Sequence, residues 1–169
     1  MGRMSTKGDK TPYQIARERL ELTREGASEI MGVEPSKIER IENEKLNRID
    51  PYDIIAMAEA YKEPMLCNYY CTNECPIGMK YVPSVKIETL KDITLEMLAS
   101  LNSLDKQKGR ILEIARDGKV DDTELADFVF IQKELEQISM AVEALQIWSE
   151  KMIATGLIDV KKYNQLMKQ

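Results

Sequence analysis

The chain contains no histidine. This removes the side chain most often used as a general base, as a zinc ligand and as a charge switch near neutral pH, so an enzyme is not expected. Cysteine is scarce: the 169 residues hold three, at 67, 71 and 75, an odd number at one locus. Such a set builds no disulfide framework and agrees with a reducing compartment. Long apolar runs are missing as well. No stretch approaches the roughly 20 apolar residues of a membrane span, and the opening residues lack the apolar core of a signal peptide. A cytoplasmic location and no membrane partner are expected. Basic excess is also absent, because 24 Lys and Arg stand against 29 Asp and Glu, a net charge of −5. Any field attractive to a polyanion must therefore be local to one face.

What is present is enough for folding: 43% hydrophobic and 31% charged residues make an ordinary globular composition. Residues 1–12, MGRMSTKGDKTP, are polar and aperiodic and read as a flexible arm. From Tyr13 the apolar residues recur at helical spacing, with Tyr13, Ala16, Leu20 and Leu22 on one stripe. A segment from Arg24 to Met31 stops at Gly32, Pro35 suits the first turn of the next helix, and Ile38 and Ile41 supply its buried face. Asp50 and Pro51 read as an N-cap and first helical residue, ahead of Ile54, Ile55, Met57, Ala58 and Tyr61. Residues 13–64 thus form one domain. Residues 65–88 hold the cysteines and then MKYVPSVKIETLKD begins, a stretch read as an extended linker.

Residues 89–169 change to seven-residue spacing. Leu90, Met97, Leu104 and Ile111 share one heptad position, with Thr94, Leu101, Lys108 and Ala115 between them. The second arm is more regular, with Phe128, Leu135 and Val142 alternating with Ile131, Ile138, Leu145 and Met152. DGKVDDTE joins the arms, with Gly118 as a stop and Asp121 with Glu124 as a capping box. The expectation is a long helical hairpin whose stripe of Phe128, Ile131, Leu135, Ile138, Val142 and Leu145 pairs with a second copy into a four-helix bundle. Thr155 and Gly156 end it, and Asp159 caps a short last helix. Trp148 lies just off the stripe as a core residue. The joining loop imitates half of an EF-hand, but Ala115 and Arg116 stand where oxygen ligands are required.

Two short helices separated by a glycine turn are what a helix-turn-helix needs, the first bracing the backbone while the second enters the major groove. The run LTREGASEIMGVEPSKIERIENEK also resembles the lambda-repressor-like, Xre-type helix-turn-helix regulators of Firmicutes and their mobile elements. The resemblance covers roughly residues 13–61 and rests on Leu22-Thr23, Gly32-Val33, Ile38, Ile41-Glu42-Asn43 and the Asp50-Pro51 helix start. It implies a five-helix DNA-binding domain acting as a dimer. Two positions depart from the family pattern: Glu34 stands where Ser or Thr is usual, and Ala27-Ser28 replaces Leu-Ala.

On a helix that buries Ile38 and Ile41, Ser36, Lys37, Glu39 and Arg40 face outward as base readers. Arg40 suits guanine, Glu39 suits cytosine N4, and Ser36 donates or accepts. Arg24 resembles the position at which the family holds a phosphate, and Asn43, Lys45, Asn47 and Arg48 form a polar loop suited to phosphates. The cysteines have three readings. Cys67, Cys71 and Cys75 lie four residues apart and are small core residues, ligands of zinc or an iron-sulfur cluster, or a redox sensor. Zinc needs a fourth ligand such as Glu74, and the block CNYYCTNECPIG resembles an element of some Xre-type regulators without assigning a ligand. The function expected is a dimeric repressor. The alternative is an antitoxin or phage-type inhibitor whose acidic hairpin grips a partner protein, with DNA binding for autoregulation.

Overall fold

The computed structural model describes residues 10–46, 48–86, 89–116 and 118–168, and all of its regular structure is helical. The chain divides into two compact units, Met1–Val82 with Lys151–Gln169, and Pro83–Glu150. The first contains α1 (Pro12–Arg19), α2 (Arg24–Met31), α3 (Pro35–Glu42), α4 (Pro51–Ala60), α5 (Met65–Asn73) and α6 (Gly78–Tyr81). Side-chain caps start several of them. Thr11, Thr23 and Asp50 accept from the backbone amides of Gln14, Gly26 and Tyr52, which supplies partners for amides that a first helical turn leaves unbonded. Helix α2 ends at Gly32, whose φ of 71° lies in the left-handed region.

The core of this unit is built from Tyr13, Ala27, Ile38, Ile41, Ile54 and Met57, with Tyr61 and Leu66 behind them. Leu66, Cys67, Tyr69 and Tyr70 bring α5 into that core. The Tyr13 and Tyr69 rings meet edge to face, 5.5 Å apart, and the Tyr13 hydroxyl donates to Glu74 Oε1 at 2.7 Å. Two sequence expectations shift here. Helix α1 ends at Arg19, so Leu20 is exposed and Leu22 reaches the core from the following turn. Ile55 is likewise exposed, one residue from the buried face of α4.

Below the apolar core lies a charged one. The Glu42 carboxylate, fully buried, accepts from Arg17 Nε at 2.6 Å, Arg17 Nη2 at 3.0 Å and Arg24 Nε at 2.8 Å. Arg17 Nη1 also donates to the Leu22 carbonyl at 2.6 Å, and the Thr11 hydroxyl to the Glu42 carbonyl at 3.0 Å. The bond to Glu42 raises the Arg17 pKa, against the opposing effect of burial. These bonds tie the end of α1 to the start of α2 and the end of α3.

The region read as an extended linker contains α6. Its Gly78 lies against α5 so closely that a Cβ there would overlap the Cys71 backbone carbonyl, and Gly78 N points to Cys75 Sγ at 3.5 Å.

The second unit contains α7 (Leu90–Lys106), α8 (Lys108–Ala115) and most of α9 (Leu125–Ala154), whose last residues from Lys151 belong to the first unit. There Lys151 and Arg19 share the Glu63 carboxylate. Thr89 caps α7, and Gln107 interrupts what the heptads suggested as one arm. Asp121 Oδ1 accepts from the Thr123 and Glu124 amides while its own amide reaches back to Glu124 at 3.4 Å. This is the capping box read from the sequence, and its hydrogen bonds from Thr123 hold the Asp121 carboxyl below the usual range.

Helices α7–α8 and α9 run antiparallel along one another. Arg110 pairs with Asp127 at 2.6 Å, Ile111 and Ile114 share a cavity with Phe128 and Ile131, and Ile93 lines another with Met140 and Ala141. The inward seam differs by one residue from the heptads expected. On the first arm it passes through Ile93, Met97, Ser100, Leu104, Ile111 and Ile114, leaving Leu101, Lys108 and Ala115 outside. On α9 it keeps Ile131, Ile138 and Leu145 but takes Glu134 and Ala141 in place of Leu135 and Val142, which are 50% and 42% exposed. Ala141 is buried there, lining one cavity with Ile93 and Val85. Gly156, with φ of 77°, follows the end of α9, and Asp159 caps α10 (Val160–Leu166) through the Lys161 and Lys162 amides.

Candidate nucleic-acid interface

Helices α2 and α3 are joined by three residues from Gly32 to Glu34, and α3 turns a buried face inward and a polar face to solvent. Ile38 and Ile41 have no exposure and Val33 beside the turn is buried. Ser36, Glu39 and Arg40 are exposed on the opposite face, where the helical spacing put them. Glu34 occupies the N-cap position of α3 without a side-chain cap bond, and Pro35 follows at the first turn. The three-residue connection and Ala27, fully buried on α2, let the two helices pack together.

Three of the residues assigned to DNA have structural engagements instead of a free head group. Arg24 turns its Nε to the buried Glu42, with the side chain 31% exposed. Lys37 Nζ lies 2.6 Å from Asp53 Oδ2 on α4, and that carboxylate raises the lysine's pKa. Asn43 Nδ2 donates to the Glu39 carbonyl at 2.7 Å, closing the last turn of α3. Arg24 and Lys37 are tied to carboxylates that periodicity does not single out, and Asn43 to the backbone of its own helix. Lys45 and Arg48 are exposed after α3, and Asn47 lies outside the described residues.

The exposed side chains that remain on this face are Ser36, Glu39, Arg40, Lys45 and Arg48, with Glu34 and Glu44 also exposed. Charges of both signs alternate there, so the face does not make a broad positive field. Its capacity is for directional bonds: a guanidinium with a paired-donor fork, a hydroxyl, a carboxylate acceptor and two cationic heads beyond the helix. Sequence reasoning missed Arg17 and Glu42, on which the geometry of α2 and α3 depends. The signal available was spacing: Glu42 lies four residues after Ile38 and next to Ile41, on the inward side of α3.

Cys67, Cys71 and Cys75 are half-buried along α5 and the turn after it, and Cys67 packs against the core. Among the described residues, no group of three or more His, Cys, Asp or Glu side chains is placed to hold a metal ion. Glu74, the carboxylate considered as a fourth ligand, accepts from Tyr13 instead, and burial raises its pKa above the usual carboxylate range. No described helix is long and apolar enough to cross a membrane. The chain matches no protein-family model, no curated protein and no solved structure.

Proposed function

We propose that this chain is a sequence-specific DNA-binding transcriptional regulator, repressor-like and dimeric, that reads the major groove with α3. The observation that carries the reading is the division of α3 into a fully buried Ile38 and Ile41 face and an exposed Ser36, Glu39 and Arg40 face, behind a glycine turn from α2. A helix held that way by a lambda-repressor-like domain presents its first two turns to base edges, with Lys45 and Arg48 suited to the flanking phosphates. Arg40 is the main specificity determinant, since Lys37 is held by Asp53. No catalytic step belongs to this function.

Selection of bound fragments from random duplex DNA tests the reading directly, and an enriched inverted repeat is the expected outcome. On the selected site, Arg40→Ala should weaken binding by about 1–3 kcal/mol in gel-shift titrations while leaving the thermal melt unchanged. Equal affinity of the variant and the parent, or no enriched sequence, would remove α3 from the groove. A second reading, a partner-binding inhibitor, is favoured by the acidity of residues 85–169, which carry 15 Asp and Glu against 12 Lys and Arg. It is the reading left standing if selection enriches nothing.

A further inference from the structure

The unit Pro83–Glu150 leaves one apolar face in water, and we infer that a second copy of this chain covers it through the same face. Leu98, Leu101 and Leu112 each follow a seam residue of α7–α8, and Leu135 and Val142 each follow a seam position of α9. One step along an α-helix turns about 100° in a fixed sense. Because the two arms run antiparallel with their seams facing, equal steps along each turn to the same side of the pair. Leu98, Leu101, Leu112, Leu135 and Val142 are 48, 44, 66, 50 and 42% exposed, so this side is the apolar one. The residues that precede the seam, on the other side, include Glu96, Ser103, Arg110, Lys133 and Gln137, with Phe130 and Met140 as apolar exceptions.

An occupant must present two antiparallel apolar strips as long as these, and the chain itself does so. Charge favours a second copy and chooses its orientation. Exposed Lys91, Lys108 and Arg116 lie along α7–α8, with Asp105 the acid beside Lys108 at 3.9 Å. Glu136, Glu143 and Glu150 lie along α9 at seven-residue spacing. A two-fold axis parallel to the helices sets α7–α8 of each copy beside α9 of the other, cations against carboxylates. The alternative axis, across the helices, sets like edges together, which repel. Lys91 lies near the level of Glu143, because Ile93 shares a cavity with Met140, Ala141 and Ala144. The interface thus differs from the stripe suggested by heptads: Ile131, Ile138 and Leu145 are spent within one copy, and Leu98, Leu101 and Leu112 join in their place. It rests on the dimeric part of the proposed function and not on DNA recognition.

Sedimentation velocity of the full chain without DNA is the test. The parent should be a dimer at micromolar concentration, and Leu101→Glu with Val142→Glu should be a monomer of unchanged helical circular dichroism. Leu95→Glu, on the far side of α7, should leave the dimer intact. Lys91→Glu should weaken the dimer about tenfold and the added Glu143→Lys should restore it. If the double glutamate variant fails to fold, this charge exchange decides the matter without touching the apolar strips. A monomeric parent, equal dissociation by Leu95→Glu, or no restoration by the exchange would overturn the interface. A monomer that still binds its selected DNA site would overturn the interface and leave the DNA reading standing; a dimer that binds no site would do the reverse.

Discussion

Glu42 serves two arginines from one buried carboxylate, and the consequences of removing each member differ. With Glu42→Ala, Arg17 keeps a buried guanidinium (8% side-chain exposure) and loses its hydrogen-bonded counter-charge, with only the Glu18 carboxylate left at 4.0 Å. Loss of about 3–5 kcal/mol is expected in urea unfolding. Arg24→Ala should cost about 1 kcal/mol or less, since that side chain is partly solvated and leaves Glu42 bonded to Arg17. Tyr13 and Tyr61 make a second contrast. Burial first, then the bond to Glu74, raises the Tyr13 pKa above its ordinary 10.0. Burial first, then Glu42, does the same for Tyr61. A group whose folded pKa is raised contributes stability that is complete below its unfolded value and is lost as pH rises beyond it. Thermal melts should therefore fall above pH 10.0, the ordinary tyrosine value. Tyr13→Phe deprives Glu74 of its donor and should cost about 1–3 kcal/mol at neutral pH. Tyr61→Phe should be neutral or stabilising there, because no described group bonds its buried hydroxyl. Both variants should flatten the alkaline loss.

At the scale of elements, two glycines act for different physical reasons. Gly32 ends α2 in the left-handed region with open space where a Cβ would go. Gly32→Ala should cost about 1–2 kcal/mol through backbone strain alone, and Gly32→Asn should recover much of it. At Gly78 the backbone of Cys71 occupies the place of a Cβ. Gly78→Ala should then cost about 1–3 kcal/mol as overpacking, and asparagine should restore nothing. Chemical denaturation of the four variants distinguishes strain from overlap. The same element explains why three cysteines at helical spacing do not by that spacing alone make a centre: α5 lays Cys67 against the core while Glu74 turns to Tyr13.

Across the whole molecule, the excess of acid sets the conditions for the proposed function. A chain of net charge −5 meets DNA with local cations only, so binding should weaken steeply as salt rises. Replacing Lys45 and Arg48 with alanine should reduce the slope of log affinity against log salt by about 2, one for each phosphate contact. The preferred sequence should be unchanged. A slope equal to that of the parent would take both side chains out of the interface.

The helical class, the stop at Gly32, the Asp50 and Asp159 caps and the Asp121 capping box were legible in the sequence, because each depends on residues within about one turn of one another. The exposed face of α3 was legible too, since helical spacing places Ser36, Glu39 and Arg40 opposite Ile38 and Ile41. What spacing could not decide is which cations stay outward. Arg24 is taken by Glu42 and Lys37 by Asp53, partners 18 and 16 residues away that meet only when the helices pack. The phase of the long helices was decided in the same way. Leu135 and Glu134, or Val142 and Ala141, are adjacent on one helix, and hydropathy prefers the larger apolar member of each pair. Tertiary packing chose Glu134 and Ala141: α9 turns Ala141 toward Ile93 and Val85, and the 100° step that follows carries Leu135 and Val142 to an outer face.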